Sequence, residues 1–148
     1  MDLEQSAFEA LRFASAQSLK LYKQPPIITY SGGKDSDVLL RLAENSGIPF
    51  EVLHSLTTAD APETVYHVRD TFRRMEEKGV KCVIDAHVQS DGSRLTMWNL
   101  IPRKLIPPTR LVRCCCASLK EGGAKGRFIA TGVRWAESPK RKDRGMLE

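Results

Sequence analysis

The residues best suited to chemistry are the run Ser31-Gly32-Gly33-Lys34-Asp35-Ser36. Adjacent glycines let backbone N–H groups come close to an anion with no Cβ in the way. Ser31 and Ser36 add hydroxyl donors, and Lys34 adds positive charge. A glycine turn with a good helix cap would use the same residues, so position has to decide. The spacing is not the G-x-x-x-x-G-K-[ST] of a Walker A loop, nor is it G-x-G-x-x-G. The run lies between a strand pattern and a helical one. In a parallel sheet that is the ligand-facing end of the strand, where a helix N-terminus favours an anion.

Other candidates lie further along the chain. Thr57, Thr58, Asp60 and Glu63 follow a second strand pattern, on the same sheet edge as the glycine run. Asp60 or Glu63 could hold Mg²⁺, which takes oxygen ligands beside phosphates. Capping explains them equally well, with Asp60 as the N-cap and Glu63 three residues later. Gly132 and Arg134 follow the last strand pattern, and the forked guanidinium of Arg134 suits phosphate or sulfate, with Lys140 and Arg141 nearby. Arg110 and Arg113 are weaker anion-binding candidates.

The four cysteines are Cys82 and the run Cys114-Cys115-Cys116. They are neither spread like a secreted disulfide framework nor paired as C-x-x-C. Three readings of the run stay open: thiols packed as small hydrophobes, a nucleophilic or redox thiol activated by Arg113 and a helix start, or iron–sulfur ligands. Cys82 sits in a strand pattern and is expected in the core. His54, His67 and His87 form no close metal motif and are expected to be structural or solvent-facing.

These residues need a scaffold. Apolar positions Leu3, Phe8, Leu11, Ala14 and Tyr22 predict an amphipathic helix over 3–22, stopped by Gln24-Pro25-Pro26. Strands are expected at Ile27–Tyr30, Pro49–Ser55, Lys81–Ala86 and Arg127–Val133. Helices are expected from Asp35 to about Ala43, from Pro62 to Lys78, and as short pieces over Arg94–Ile101 and Arg113–Glu121. Pro102, Pro107 and Pro108 break up the region between the last two. Strands alternating with helices predict an α/β fold with a mostly parallel sheet. One domain over 1–148 is expected.

Composition narrows the class. The net charge is +5, of which +3 lies between Arg134 and Arg144, so residues 134–148 read as a basic tail. Such a tail suits an anionic ligand or nucleic acid, or it is simply a solvated end. No apolar run approaches a membrane span and no signal peptide opens the chain, so a cytoplasmic protein without a membrane partner is expected. Self-association is left open.

Ser31, Gly32, Gly33, Asp35 and Ser36 fit the Ser-Gly-Gly-x-Asp-Ser signature of the PP-loop ATP pyrophosphatases, the adenine nucleotide alpha-hydrolase superfamily. Downstream, "TTADAPETVYHVR", "MWNLIPRKLIPPTRLVRCCCASLKE" and "TGVRWAESPKRKDRG" resemble blocks of the phosphoadenosine phosphosulfate (PAPS) reductase family. Together these segments span residues 27–145. The resemblance implies a three-layer, doubly wound HUP-type sheet and an adenine nucleotide ligand: ATP, adenosine phosphosulfate or PAPS. It places Ser31–Ser36, Thr57, Thr58, Asp60, Gly132 and Arg134 at the nucleotide.

The family's Cys-Cys position falls on Cys115 and Cys116, which with Lys34 become the catalytic candidates. In cluster-bearing members that pair joins a later C-x-x-C around a [4Fe–4S] cluster, and a thiol reductant protein is a partner. No later C-x-x-C is present here, and neither is the C-terminal cysteine of cluster-free reductases. The resemblance thus implies a nucleotide-binding domain lacking a C-terminal part, acting in sulfonucleotide reduction or ATP-dependent sulfur transfer. The alternatives are a PP-loop ATPase in nucleic-acid modification, related to the DNA phosphorothioation proteins, and a nucleotide-binding module without turnover.

Overall fold

The computed structural model describes residues 2–120 and 122–134. The basic tail beyond Arg134 lies outside the described residues.

Four strands form one parallel sheet in the order β3-β2-β1-β4. They are β1 (Ile27–Thr29), β2 (Glu51–Ser55), β3 (Cys82–Asp85) and β4 (Ile129–Ala130). The helices are α1 (Leu3–Tyr22), α2 (Lys34–Ser46), α3 (Pro62–Glu77), α4 (Met97–Lys104) and α5 (Cys114–Leu119). From β1 the chain winds outward through α2, β2 and α3 to β3. It then crosses to the other side of β1, where Ile28 pairs with Ala130. This reversal makes the sheet doubly wound, and it opens a crevice between the C-terminal ends of β1 and β4. The fold is α/β, consistent with the adenine nucleotide alpha-hydrolase architecture.

The core explains why the helices lie where they do. Leu11 of α1, Leu40 and Ala43 of α2, and Val68, Phe72 and Met75 of α3 close over Ile28, Tyr30 and Val52. Ile28 and Val52 are register partners, so they share a face. Gly123 meets Leu53, which points to the opposite face.

Helix ends follow local chemistry. Asp2 caps α1 by accepting from the Glu4 N–H at 3.2 Å. Gly47 ends α2 in the left-handed region at φ 71°.

Three elements, α3, α4 and β4, differ from the sequence expectation in ways that bear on the site. The α3 N-cap is Ala61, not Asp60, because the Thr57 hydroxyl already donates to the Asp60 carboxylate at 2.5 Å. Helix α4 starts three residues late, because Arg94 is held in an antiparallel bridge to Val88 and Thr96 forms a capping box with Asn99. Pro102 sits inside α4 rather than ending it. Finally, β4 keeps only two residues of the seven-residue strand pattern. The chain beyond it turns across the start of α2, where an added Cβ on Gly132 would lie 2.9 Å from the Asp35 carbonyl oxygen.

Candidate functional site

The crevice between β1 and β4 holds a cavity of about 470 Å³. Its walls are Ser31, Gly33, Lys34, Asp35 and Ser36 on one side and Gly132 and Val133 on the other, with Lys120 completing it.

The loop is built from its own side chains. The Ser36 hydroxyl donates to the Gly33 carbonyl at 2.7 Å, and the Ser31 hydroxyl donates to Ser36 Oγ at 3.2 Å. The Gly33 N–H donates to Ser31 Oγ at 3.4 Å. Gly33 is the N-cap of α2 and has no side chain to cap with, so the first N–H groups of the helix face outward without intrahelical partners. Gly32 has φ 79° and sits so close to α3 that a Cβ would meet Val68 at 2.9 Å. The two glycines therefore do different jobs. Gly32 makes the turn against α3, while Gly33 leaves the helix start open, since a Cβ there would meet only Ser31 Oγ, at 3.6 Å.

Charge in the cavity is arranged in a pattern. Arg134 Nε pairs with Asp35 Oδ2 at 3.2 Å, tying the turn after β4 to the start of α2. Lys34 and Lys120 add positive charge to a wall that already carries the positive end of the α2 dipole. Such an arrangement is competent to bind a multiply charged anion.

Several sequence candidates stand elsewhere. Thr57, Thr58 and Asp60 shape the β2–α3 loop rather than the cavity wall. Thr58 adopts φ 62°, uncommon for a β-branched residue, and its hydroxyl oxygen accepts from the Met97 N–H at 2.9 Å, holding the start of α4. The Asp60 carboxylate accepts from the Thr57 hydroxyl, and Glu63 is exposed on α3. No three His, Cys, Asp or Glu side chains among the described residues gather into a metal site.

The four cysteines all fall within the described residues, so they can be tested against a cluster. A [4Fe–4S] centre takes four thiolates. Cys82 lies on β3, its thiol pushed up to about 11 by burial and then by Glu76. Cys114–Cys116 share one short helix, and burial followed by the hydrogen bond with Cys116 pushes the Cys115 thiol up. The set does not fit a four-thiolate cluster. The Arg113 guanidinium does reach Cys116 Sγ, at 3.5 Å.

Two groups escaped the sequence reading. Lys120 enters the cavity from a segment about 85 residues beyond the glycine loop; its place in the "SLKE" block was the available signal. The second is a polar cluster behind the loop. The Tyr30 hydroxyl donates to Asp37, lies 2.9 Å from His67 Nε2 and 3.2 Å from Thr71 Oγ1, and is pushed up to about 12 by burial and by Asp37. His54 is structural, its Nδ1 2.8 Å from the Tyr30 carbonyl oxygen.

A smaller, mainly apolar cavity of about 280 Å³ lies at the ends of β2 and β3, lined by His54, Leu56, Val68 and Ile84 with Arg69 and Arg94. Val68 is shared: it lines this cavity and touches Gly32 of the loop. No helix among the described residues is long and apolar enough to cross a membrane.

The family model described as "Phosphoadenosine phosphosulfate reductase domain" matches residues 25–148. A search of the curated proteins finds no match.

Proposed function

Since the chain belongs to the phosphoadenosine phosphosulfate reductase domain family, a nucleotide ligand is implied, and we propose that its phosphates or sulfophosphate sit in the cavity between the glycine loop and the turn after β4. One observation carries this reading. At the switch point of the sheet, an uncapped helix N-terminus, two lysines and two serine hydroxyls converge on one cavity.

In this reading the α2 N–H groups take the anion oxygens, and the bare Gly33 permits their approach. Lys34 at the start of α2 and Lys120 just after α5 neutralise its charge. Asp35 and Arg134 hold the two walls together. The apolar cavity across the Gly32–Val68 contact offers a place for the adenine base.

The reaction class follows from what the thiols offer. Sulfonucleotide reduction needs a thiolate nucleophile, and burial followed by the hydrogen bond with Cys116 pushes the Cys115 thiol up, away from the thiolate form. Binding of ATP, adenosine phosphosulfate or PAPS is therefore the central proposal, with sulfur transfer or reduction completed by a thiol supplied from elsewhere. The concentration of positive charge between Arg134 and Arg144 favours a second reading, an ATP-using modification of nucleic acid.

Titration calorimetry with ATP, adenosine phosphosulfate and PAPS, each with and without Mg²⁺, tests both. A preference for a sulfonucleotide supports the reductase lineage. A preference for Mg-ATP supports the second reading. A folded sample that binds none of the three sinks the phosphate-site proposal.

A further inference from the structure

We infer that His87, backed by Asp85, is a positioning residue that aims Lys120 into the phosphate cavity. The inference deepens the nucleotide reading and rests on it for the identity of the ligand.

The contacts run from the end of β3 to the cavity. His87 Nε2 lies 2.7 Å from the Leu119 carbonyl oxygen. A carbonyl only accepts, so Nε2 carries the proton and donates. That carbonyl belongs to the same peptide group as the Lys120 N–H, which donates to Cys116 O at 2.9 Å. A peptide group is planar, so holding its two ends fixes the plane and with it the Lys120 Cα, from which the side chain leaves at a backbone φ of -124°. Leu119 is fully buried beside it, which leaves the end of α5 little room to swing.

The chain after Lys120 is held by the same pair. His87 Nδ1 stands 3.5 Å from Asp85 Oδ2, longer than an ordinary N–H···O hydrogen bond. That oxygen is buried and has no hydrogen-bond partner among the described residues. Gly122 and Gly123 lie directly over the pair. A Cβ on Gly123 would fall 2.2 Å from Asp85 Oδ2, and one on Gly122 would fall 3.8 Å from His87 Cε1. The histidine thus grips the backbone on the near side of Lys120, and two glycines seat the far side on the same Asp–His pair.

The test uses the full chain and two readouts. Backbone amide exchange by NMR follows the Lys120 N–H. Calorimetry follows binding of inorganic pyrophosphate. His87→Ala is expected to speed Lys120 exchange about tenfold while amides of β1 and β2 keep their protection, and to weaken pyrophosphate binding about tenfold. His87→Gln, which keeps an N–H donor near the Nε2 position, is expected to restore both. Lys120→Ala should weaken binding about as much as His87→Ala, and the double variant should bind no more weakly than Lys120→Ala alone. Unchanged Lys120 exchange in His87→Ala overturns the inference. So does a further loss of binding when His87→Ala is added to Lys120→Ala. Failure of the wild-type chain to bind pyrophosphate, with the exchange results as expected, overturns the phosphate reading and leaves His87's hold on Lys120 standing.

Discussion

Tyr30 shows how one residue ties the loop to the core. Its ring is buried against Phe72, with centroids 6.2 Å apart, and its hydroxyl reaches Asp37 on α2 and Thr71 on α3. Burial and Asp37 raise its folded value from 10.0 to about 12, so the neutral phenol is what the fold stabilises. That stability is complete below the unfolded value and is lost as pH rises from about 10 towards 12. Urea unfolding free energies measured from pH 8 to pH 11 should fall for the wild type, by about 1 kcal/mol at pH 11. In Tyr30→Phe the fall should be markedly shallower, with a loss of about 1 kcal/mol already present at neutral pH. At this scale the residue types suited to an anion were legible, because two glycines, two serines and a lysine at a strand–helix junction carry that chemistry in their types and their place. Lys120, Asp37 and the Thr57–Asp60 bond were not. Each depends on which side chain arrives from another segment, and local spacing carries no record of that.

Helices α2 and α3 are joined at their far ends by Lys78, whose Nζ meets Glu44 Oε1 at 2.5 Å. Burial alone would raise the Glu44 carboxyl, but Lys78 and Arg41 outweigh it and hold the group below its ordinary value of 4.5. A lowered value means stability that is present above the unfolded value and is lost as pH falls through the folded one. Urea midpoints between pH 5 and pH 3 should therefore drop more steeply for the wild type than for Lys78→Met. Equal slopes would show that the pair contributes nothing to the packing of α2 on α3. The two helices themselves were legible from apolar periodicity with a clear stop at Gly47 and Gly79. The position of α4 was not, because Thr96 wins the start of the helix through a reciprocal cap with Asn99 while Arg94 is drawn into a bridge with Val88.

The whole molecule places its candidate site at the one point where distant parts of the chain must meet. Alternating strands and helices made a parallel sheet legible, but no local pattern says that β4 pairs with β1 rather than β3. Gly132 is the joint, since its Cα lies against the backbone of Asp35. Gly132→Ala should cost about 1–3 kcal/mol in urea unfolding, by pushing β4 away from α2, and should abolish nucleotide binding. Gly33→Ala should change stability by no more than about 0.5 kcal/mol yet weaken nucleotide binding, because its methyl group stands only where the ligand would. A Gly33→Ala protein that binds normally would show that the anion does not approach α2 there. The same joint orders events during synthesis. The Thr29 hydroxyl donates to the Ala130 carbonyl across 101 residues, so β1, β2 and β3 leave the ribosome long before the second wall of the cavity exists. Until β4 arrives, β1 is an open sheet edge and the glycine loop faces nothing. A ligand held between the two walls would grip finished chains alone, closing that edge and protecting the mature fold from the proteases that survey incomplete ones.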